Sequence, residues 1–259
     1  MRLFDSHCHL NDTAYANDLD DVLTRMTEAG VEALMIVGIT PEDSKTATAL
    51  AESRPGFYAS AGVHPHDAAS CTEAGLSALR DLASHHSKIR AWGETGLDFN
   101  RMFSPRKDQE KWLIRQIETA VELKLPLIFH ERDSRGRFLD ILKTHLPDGY
   151  PGVIHCFSGT RAELFAYLDR GLHIGITGIL TVKSRGAQLR RQVELIPENR
   201  LLVETDAPYL TPSPERNKHR RNEPAFVKTT LLKLAEVRRT EPGALAETVW
   251  ANTCRLFNI

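Results

Sequence analysis

Eight short apolar runs separated by longer segments of helical character constrain this chain more than any other feature. The runs are Leu3-His7, Ala33-Gly38, Tyr58-Val63, Arg90-Glu94, Leu127-His130, Val153-His155, His173-Ile176 and Leu201-Asp206. Each is short and rich in β-branched or aromatic residues, as expected of strands covered on both faces. The intervening segments carry helix signals. Thr40-Pro41-Glu42-Asp43 reads as an N-cap, a first-turn proline and a first-turn acid, and Ser104-Pro105 reads as a second such start. Leu113, Ile117, Ala120 and Val121 form a stripe at helical spacing that Leu125-Pro126 ends. Thr160 and Glu163 form a capping-box pattern, and Gly171 is a stop. Two helices are expected over Ala225-Arg238 and Gly243-Leu256. Strand and helix alternating eight times predict an α/β fold, a (β/α)8 TIM-like barrel in one domain over residues 1–259. The competing fold is an open doubly wound sheet, which usually carries a glycine-rich phosphate loop after its first strand. Here that strand ends in His7-Cys8-His9, and neither GxGxxG nor GxxxxGK[ST] occurs.

Composition narrows the function classes. Thirty-three basic and 34 acidic residues give a net charge of -1, against a protein that coats polyanions indiscriminately. The longest apolar run, Ala33 to Val37, is far shorter than the roughly 18 residues of a membrane span. Met1-Arg2-Leu3-Phe4-Asp5 lacks a signal-peptide core, so a cytoplasmic location is expected. The four cysteines, Cys8, Cys71, Cys156 and Cys254, contain no CxxC pair and read as reduced thiols.

Residues able to bind metal recur where the proposed strands end. His7 and His9 close the first and His64 follows the third. Glu94 closes the fourth, His130 the fifth, His155 the sixth and Asp206 the eighth. In a barrel these ends meet on one face, where active sites lie. His7 and His9, two apart on a strand, point the same way. Glu204 and Asp206 share that spacing, and Glu204 reads as a buried carboxylate satisfied by backbone or arginine. Six candidate ligands exceed one tetrahedral ion and suit two divalent ions, with Glu94 as a bridge between a His7/His9 side and a His130/His155 side. Asp206 either binds a metal, orients the water or takes its proton. The nitrogen and oxygen set accommodates magnesium, manganese or zinc. Such a site suits hydrolysis, with Glu94 and Asp206 as catalytic carboxylates.

The chain resembles the TatD family of metal-dependent deoxyribonucleases, within the amidohydrolase-like barrel hydrolases. The resemblance rests on ordered blocks spread along the chain: Leu3-Phe4-Asp5-Ser6-His7-Cys8-His9-Leu10, Gly62-Val63-His64-Pro65-His66, Gly93-Glu94-Thr95-Gly96-Leu97-Asp98, Pro126-Leu127-Ile128-Phe129-His130-Glu131-Arg132-Asp133, His155-Cys156-Phe157-Ser158-Gly159, Leu201-Leu202-Val203-Glu204-Thr205-Asp206-Ala207-Pro208-Tyr209 and Arg221-Asn222-Glu223-Pro224. It implies a TIM-like barrel and a divalent-metal-dependent nuclease trimming DNA from the 3′ end. It also implies that His7, His9, Glu94, His130, His155 and Asp206 occupy the family's metal positions and that His64 is a pocket histidine.

For substrate contact the sequence offers His64, Arg132, Arg220 and Arg221. Arg132 follows His130 by two and is placed either to clamp a phosphate or to pair with Glu204 or Asp133. Arg216, Lys218, His219, Arg220 and Arg221 lie in the loop after the last strand, where they either track a nucleic-acid backbone or form a solvated loop. Phe99, Phe103 and Tyr209 are candidates for stacking on bases. The expected partner is DNA, single-stranded or frayed at its 3′ end, with RNA as an alternative, no membrane and no obligate protein partner; a monomer is expected. The competing enzyme is a hydrolase of a small phosphoester, lactone or amide, or of an aminoacyl-tRNA ester, because a fold does not fix its substrate. A non-catalytic binding module is the third class, and it would not need the full ligand set.

Overall fold

The computed structural model describes residues 1–259. Its eight strands are β1 (Leu3–Cys8), β2 (Val31–Ile36), β3 (Phe57–Ala61), β4 (Ile89–Asp98), β5 (Leu127–Arg132), β6 (Gly152–Ile154), β7 (His173–Ile176) and β8 (Leu201–Val203). They pair in chain order, each parallel to the next. The ring returns to its start through a parallel bridge between Cys8 and Ala207. There the Asp206 N–H donates to the His7 carbonyl (2.9 Å) and the His9 N–H to the Ala207 carbonyl (2.7 Å). Asp5 adds a side-chain clasp, its carboxylate accepting from the Thr205 N–H (2.8 Å) and the Thr205 hydroxyl (2.5 Å).

Nine α-helices accompany the strands: α1 (Leu19–Glu28), α2 (Pro41–Glu52), α3 (Glu73–His85), α4 (Arg106–Leu123), α5 (Arg137–His145), α6 (Arg161–Asp169), α7 (Ala187–Gln192), α8 (Val227–Arg238) and α9 (Pro242–Phe257). Thr40 caps α2 through the Asp43 N–H, and Thr160 with Glu163 closes a reciprocal capping box on α6. Ser104 does not cap α4. That helix starts after Pro105, and the Ser104 hydroxyl instead donates to the His66 carbonyl and accepts from the Ala69 N–H, joining two loops. The helix expected from Ala225 begins at Val227, after a single 3₁₀ turn over Pro224–Phe226. No helix is long and apolar enough to cross a membrane. All four cysteines are unpaired.

The apolar side chains sort into two layers, as strand alternation requires. Leu34, Ile36, Trp92, Leu127, Phe129, Ile154, Leu201 and Val203 face the helices in the larger cluster. Phe4, Met35, Ala91, Ile128, Val153 and Leu202 fill the barrel and meet Leu256 and Phe257 of α9. These interior residues set the direction of the site. Ile128 and Val153 are each followed two residues later by a histidine of the opposite end, His130 and His155. In β1 and β4 the spacing is three, from Phe4 to His7 and from Ala91 to Glu94, which simple alternation would turn outward. Both strands carry a register shift between those residues, and the shift restores the inward direction.

Candidate metal centre

The centre is built around Glu94, which is 2% exposed. β4 continues past it to Asp98, so Glu94 lies within a strand and not at its end. Gly93 before it has φ 142°, and a Cβ there would stand 2.4 Å from the Ile128 carbonyl oxygen, so only glycine lets β4 pass β5 this closely. The two oxygens of Glu94 face different groups. Oε2 lies 3.3 Å from His7 Nε2 and 3.9 Å from His9 Nε2. Oε1 lies 2.8 Å from His130 Nδ1, 3.4 Å from His64 Nε2 and 3.9 Å from His155 Nε2. Asp206 stands across the cluster, its Oδ1 3.7, 3.5 and 3.6 Å from the Nε2 atoms of His7, His9 and His155. The structure thus brings together all six residues expected as ligands, and it adds His64 to the same cluster of donor atoms.

Backbone and neighbouring side chains aim these groups. Asp206 has φ 57°, in the left-handed region that aspartate visits more readily than most residues. His9 Nδ1 is held at the Val37 carbonyl (3.1 Å), which leaves Nε2 for the centre. The His66 N–H donates to His64 Nδ1, which frees His64 Nε2 in the same way. Glu204 Oε1 accepts the Cys156 N–H (2.6 Å) and lies 2.9 Å from His155 Nδ1, so this buried carboxylate backs a histidine, with backbone and the Ser6 hydroxyl rather than arginine as its other partners. Gly175 of β7 makes room for it, since a Cβ there would come within 2.5 Å of its carboxylate. Carboxylates placed behind imidazoles in this manner are the usual outer support of metal-binding histidines.

The donor set fits divalent cations on three counts. Apart from His130–Glu94, every imidazole contact to the two carboxylates is 3.3 Å or longer, too long for a good hydrogen bond. His7 Nε2 and His9 Nε2 face each other at 3.3 Å, and one of those lone pairs must meet a proton or a cation. The third count is electrostatic. Burial disfavours charge on His130, yet Asp98 and Glu94 lift it to about 9. Burial likewise opposes charge on His155, which Glu204, Glu94 and Asp206 raise to about 10. Burial alone would push Glu94 up, but the surrounding histidines, His64, His155 and His7 foremost, hold it well below the usual carboxylate range. The carboxylates thus draw positive charge onto His130 and His155, while burial pushes His7 and His64 down and favours their neutral, lone-pair form.

A cavity of about 530 Å³ opens over the centre. Arg132 reaches it from the end of β5 and forms no ion pair; Asp133 instead accepts from the Asn100 amide (2.7 Å), and Glu204 is engaged with His155. Phe103 and Tyr209 line the same cavity and are 66% and 54% exposed, a large exposure for aromatic rings. Phe99 does not join them, for it packs under the Arg106 guanidinium at 4.5 Å. Arg220 lines a neighbouring cavity. Arg221 departs from its expected role as a substrate contact: it grips Asp18 through two nitrogens (2.8 and 2.6 Å), reaches Glu223 (3.1 Å) and lies over the Tyr15 ring. Those partners tie the loop after β8 to the start of α1 and engage both terminal nitrogens of Arg221.

Sequence reasoning missed Asp98 and His66. Asp98 is fully buried, with Oδ2 2.8 Å from His66 Nε2 and 3.4 Å from His130 Nε2, and Oδ1 accepting the Asn100 and Arg101 N–H groups. It stands behind His130 as a neighbouring negative charge, at a longer range than Glu204 stands behind His155. The signal was available: Glu94, Gly96 and Asp98 alternate along one strand and share a face.

The profile of the family described as "TatD related DNase" matches residues 4–258. The chain is 41% identical over 259 residues to a protein of Escherichia fergusonii named 3′-5′ ssDNA/RNA exonuclease TatD, covering 99% of both chains. It is 42% identical over 263 residues to the Shigella flexneri protein of that name, again covering 99% of each. The crystal structure of YJJV, a TatD homologue from Escherichia coli K12, superposes with a TM-score of 0.90 at 30% identity, covering 100% of this chain and 98% of that one. With a matching profile, full-length relatives and a shared barrel, the chain belongs to the TatD family of DNase-related metal-dependent hydrolases.

Proposed function

We propose that this protein is a divalent-metal-dependent 3′-to-5′ exonuclease acting on single-stranded or frayed DNA ends and on RNA. The observation that carries this reading is the division of Glu94, one oxygen facing His7 and His9 and the other facing His130, His155 and His64. That division supports two ions, with Glu94 between them, His7 and His9 on one side, His130 and His155 on the other, and Asp206 within reach of both. Magnesium, manganese and zinc all suit the donor set. When bound, such ions lower the pKa of water and neutralise charge building up on a phosphoryl group. The names of the full-length relatives support nucleic acid as the substrate.

The roles of the side chains follow from their positions. Asp206 takes the proton of the attacking water. Burial works to raise its pKa, but His155, His9 and His7 outweigh that and keep it below the usual range, hence ionised and able to accept. Its side chain is 14% exposed against 3% for Glu94, so Asp206 is the carboxylate that can pass the proton on to solvent. Glu94 is held too deep for that task and would hold the ions between its two oxygens. Arg132, unpaired at the cavity wall, contacts a phosphate, and Phe103 and Tyr209 flank the terminal base.

The test is addition of magnesium, manganese or zinc to metal-stripped protein with 5′-labelled single-stranded DNA, alongside Asp206→Asn. A metal-dependent ladder of shortened products, absent in the variant, is expected. No cleavage by protein with a verified metal load would overturn the reading in favour of a small-phosphoester hydrolase.

A further inference from the structure

Two cavities meet at the metal centre and a third adjoins them through Tyr209, Leu210 and Arg185, and their walls differ in charge. The 530 Å³ cavity carries Asp12, Asp43 and Asp67 beyond the centre, against one guanidinium that it does not share, Arg101. Asp43 is engaged with the Ile39 N–H and the Asn11 amide, while the Asp67 carboxylate, half-buried, makes no hydrogen bond or ion pair. A second cavity of about 310 Å³ shares His130, Arg132, His155 and Asp206 with the first and adds Arg185 and Glu131, whose carboxylate is taken up by the Ser134 N–H and hydroxyl. The third, of about 460 Å³, shares Arg185 with the second and adds Arg216, His219 and Arg220, with no carboxylate in its lining. Arg185, Arg216 and Arg220 belong to three separate positions on two loops, and none is paired with an acid. A basic path therefore leaves the centre on one side, and an acidic wall closes the other.

We propose that this division makes the enzyme read the chemistry of the strand end: the terminal nucleotide enters the acid-walled cavity, which accepts a 3′-hydroxyl and rejects a 3′-phosphate, while the rest of the strand follows Arg185, Arg216 and Arg220. The inference rests on the exonuclease reading above. Its logic is one of charge count. The strand on the 5′ side of the scissile bond carries a phosphate at every nucleotide and belongs against free guanidiniums. The terminal nucleotide of a 3′-hydroxyl end has no phosphate beyond the scissile one, so it alone tolerates Asp12, Asp43 and Asp67. A 3′-phosphate brings about two further negative charges against that wall, and like charges facing each other in a site act as a device of rejection. Asp67, the carboxylate without a partner, is the specificity-determining residue most open to this contact.

The experiment compares 5′-labelled single strands of one sequence that end in a 3′-hydroxyl or a 3′-phosphate, using the metal-loaded full chain and reading the ratio of kcat/KM for removal of the first nucleotide. A preference for the hydroxyl end on the order of tenfold or more is expected. In Asp67→Asn the ratio narrows several-fold. In the wild-type protein, which needs no folding control, it also narrows as ionic strength rises and screens the wall. Equal rates on both ends, or a ratio unmoved by both the substitution and salt, would overturn the inference and leave the nuclease reading standing. Failure to shorten either strand would remove both.

Discussion

The two ends of the barrel are made by the same strands and have opposite chemistry. At one end Phe4, Met35, Ile128, Val153 and Leu202 pack with Leu256 and Phe257. At the other, two to four residues further along, His7, Glu94, His130, His155 and Asp206 crowd together with few good hydrogen bonds among them. The apolar end gains from leaving water, at about 25 cal/mol for each Å² buried. The polar end gives up hydration and regains it only through cations or protons. Stability is thus concentrated at one end and chemistry at the other, so substitutions at the two ends have separable consequences.

The sharpest division comes from Asp206→Asn. Hydrolysis should fall on the order of 10²–10⁴-fold, the usual range for removing a proton acceptor, while Tm and bound metal stay near those of the wild type. Near-normal turnover would take the proton role away from Asp206. At the apolar end, Phe257→Ala should cost about 3–5 kcal/mol in stability, as large core truncations do. The activity of the protein that remains folded should be kept, and chemical denaturation read beside single-turnover rates distinguishes the two. Loss of turnover without loss of stability would show that the ends are coupled.

Metal affinity sharpens the comparison further, because protons compete for the same histidines. With His130 raised to about 9 and His155 to about 10 in the metal-free protein, both carry protons at neutral pH that ions must displace. Affinity should therefore climb as pH rises toward that range and fall as it drops, with protons released on binding. Calorimetry in buffers of different ionisation enthalpy would detect the release, and a pH-independent affinity would contradict it. His155→Ala should weaken binding about 10- to 100-fold.

Smaller effects separate two arginines. Arg132→Met should raise KM for DNA about tenfold, the loss of a charge-assisted phosphate contact, with no change in Tm. Arg221→Met should do the reverse, lowering Tm with little effect on KM, because it removes the guanidinium that ties Asp18 to Glu223 and leaves them only Arg25. The smallest expected change is Thr160→Ala, about 1 kcal/mol from one lost helix cap.

Much of this was legible in the residues, for reasons that are local. Buried parallel strands announce themselves as apolar runs, and ligand residues two apart on a strand share a face whatever else the chain does. What escaped depends on distant partners. The inward turn of His7 and Glu94 follows from register shifts against β2 and β5, which no single strand encodes. Arg221 looked free because Asp18, its partner, lies 203 residues earlier. Ser104 resembled a cap because the carbonyl it serves, that of His66, belongs to another loop. Asp98 was hidden by attention to strand ends, when β4 runs four residues beyond Glu94.

The seam between Cys8 and Ala207 also bears on when the protein acquires its activity. His7 and His9 lie some two hundred residues before Asp206 in the chain, and the bridge brings them together. Until the final strand docks against the opening one, the early histidines have no carboxylate across from them. Activity therefore waits on closure of the barrel, because no shorter stretch of the chain carries both halves of the centre.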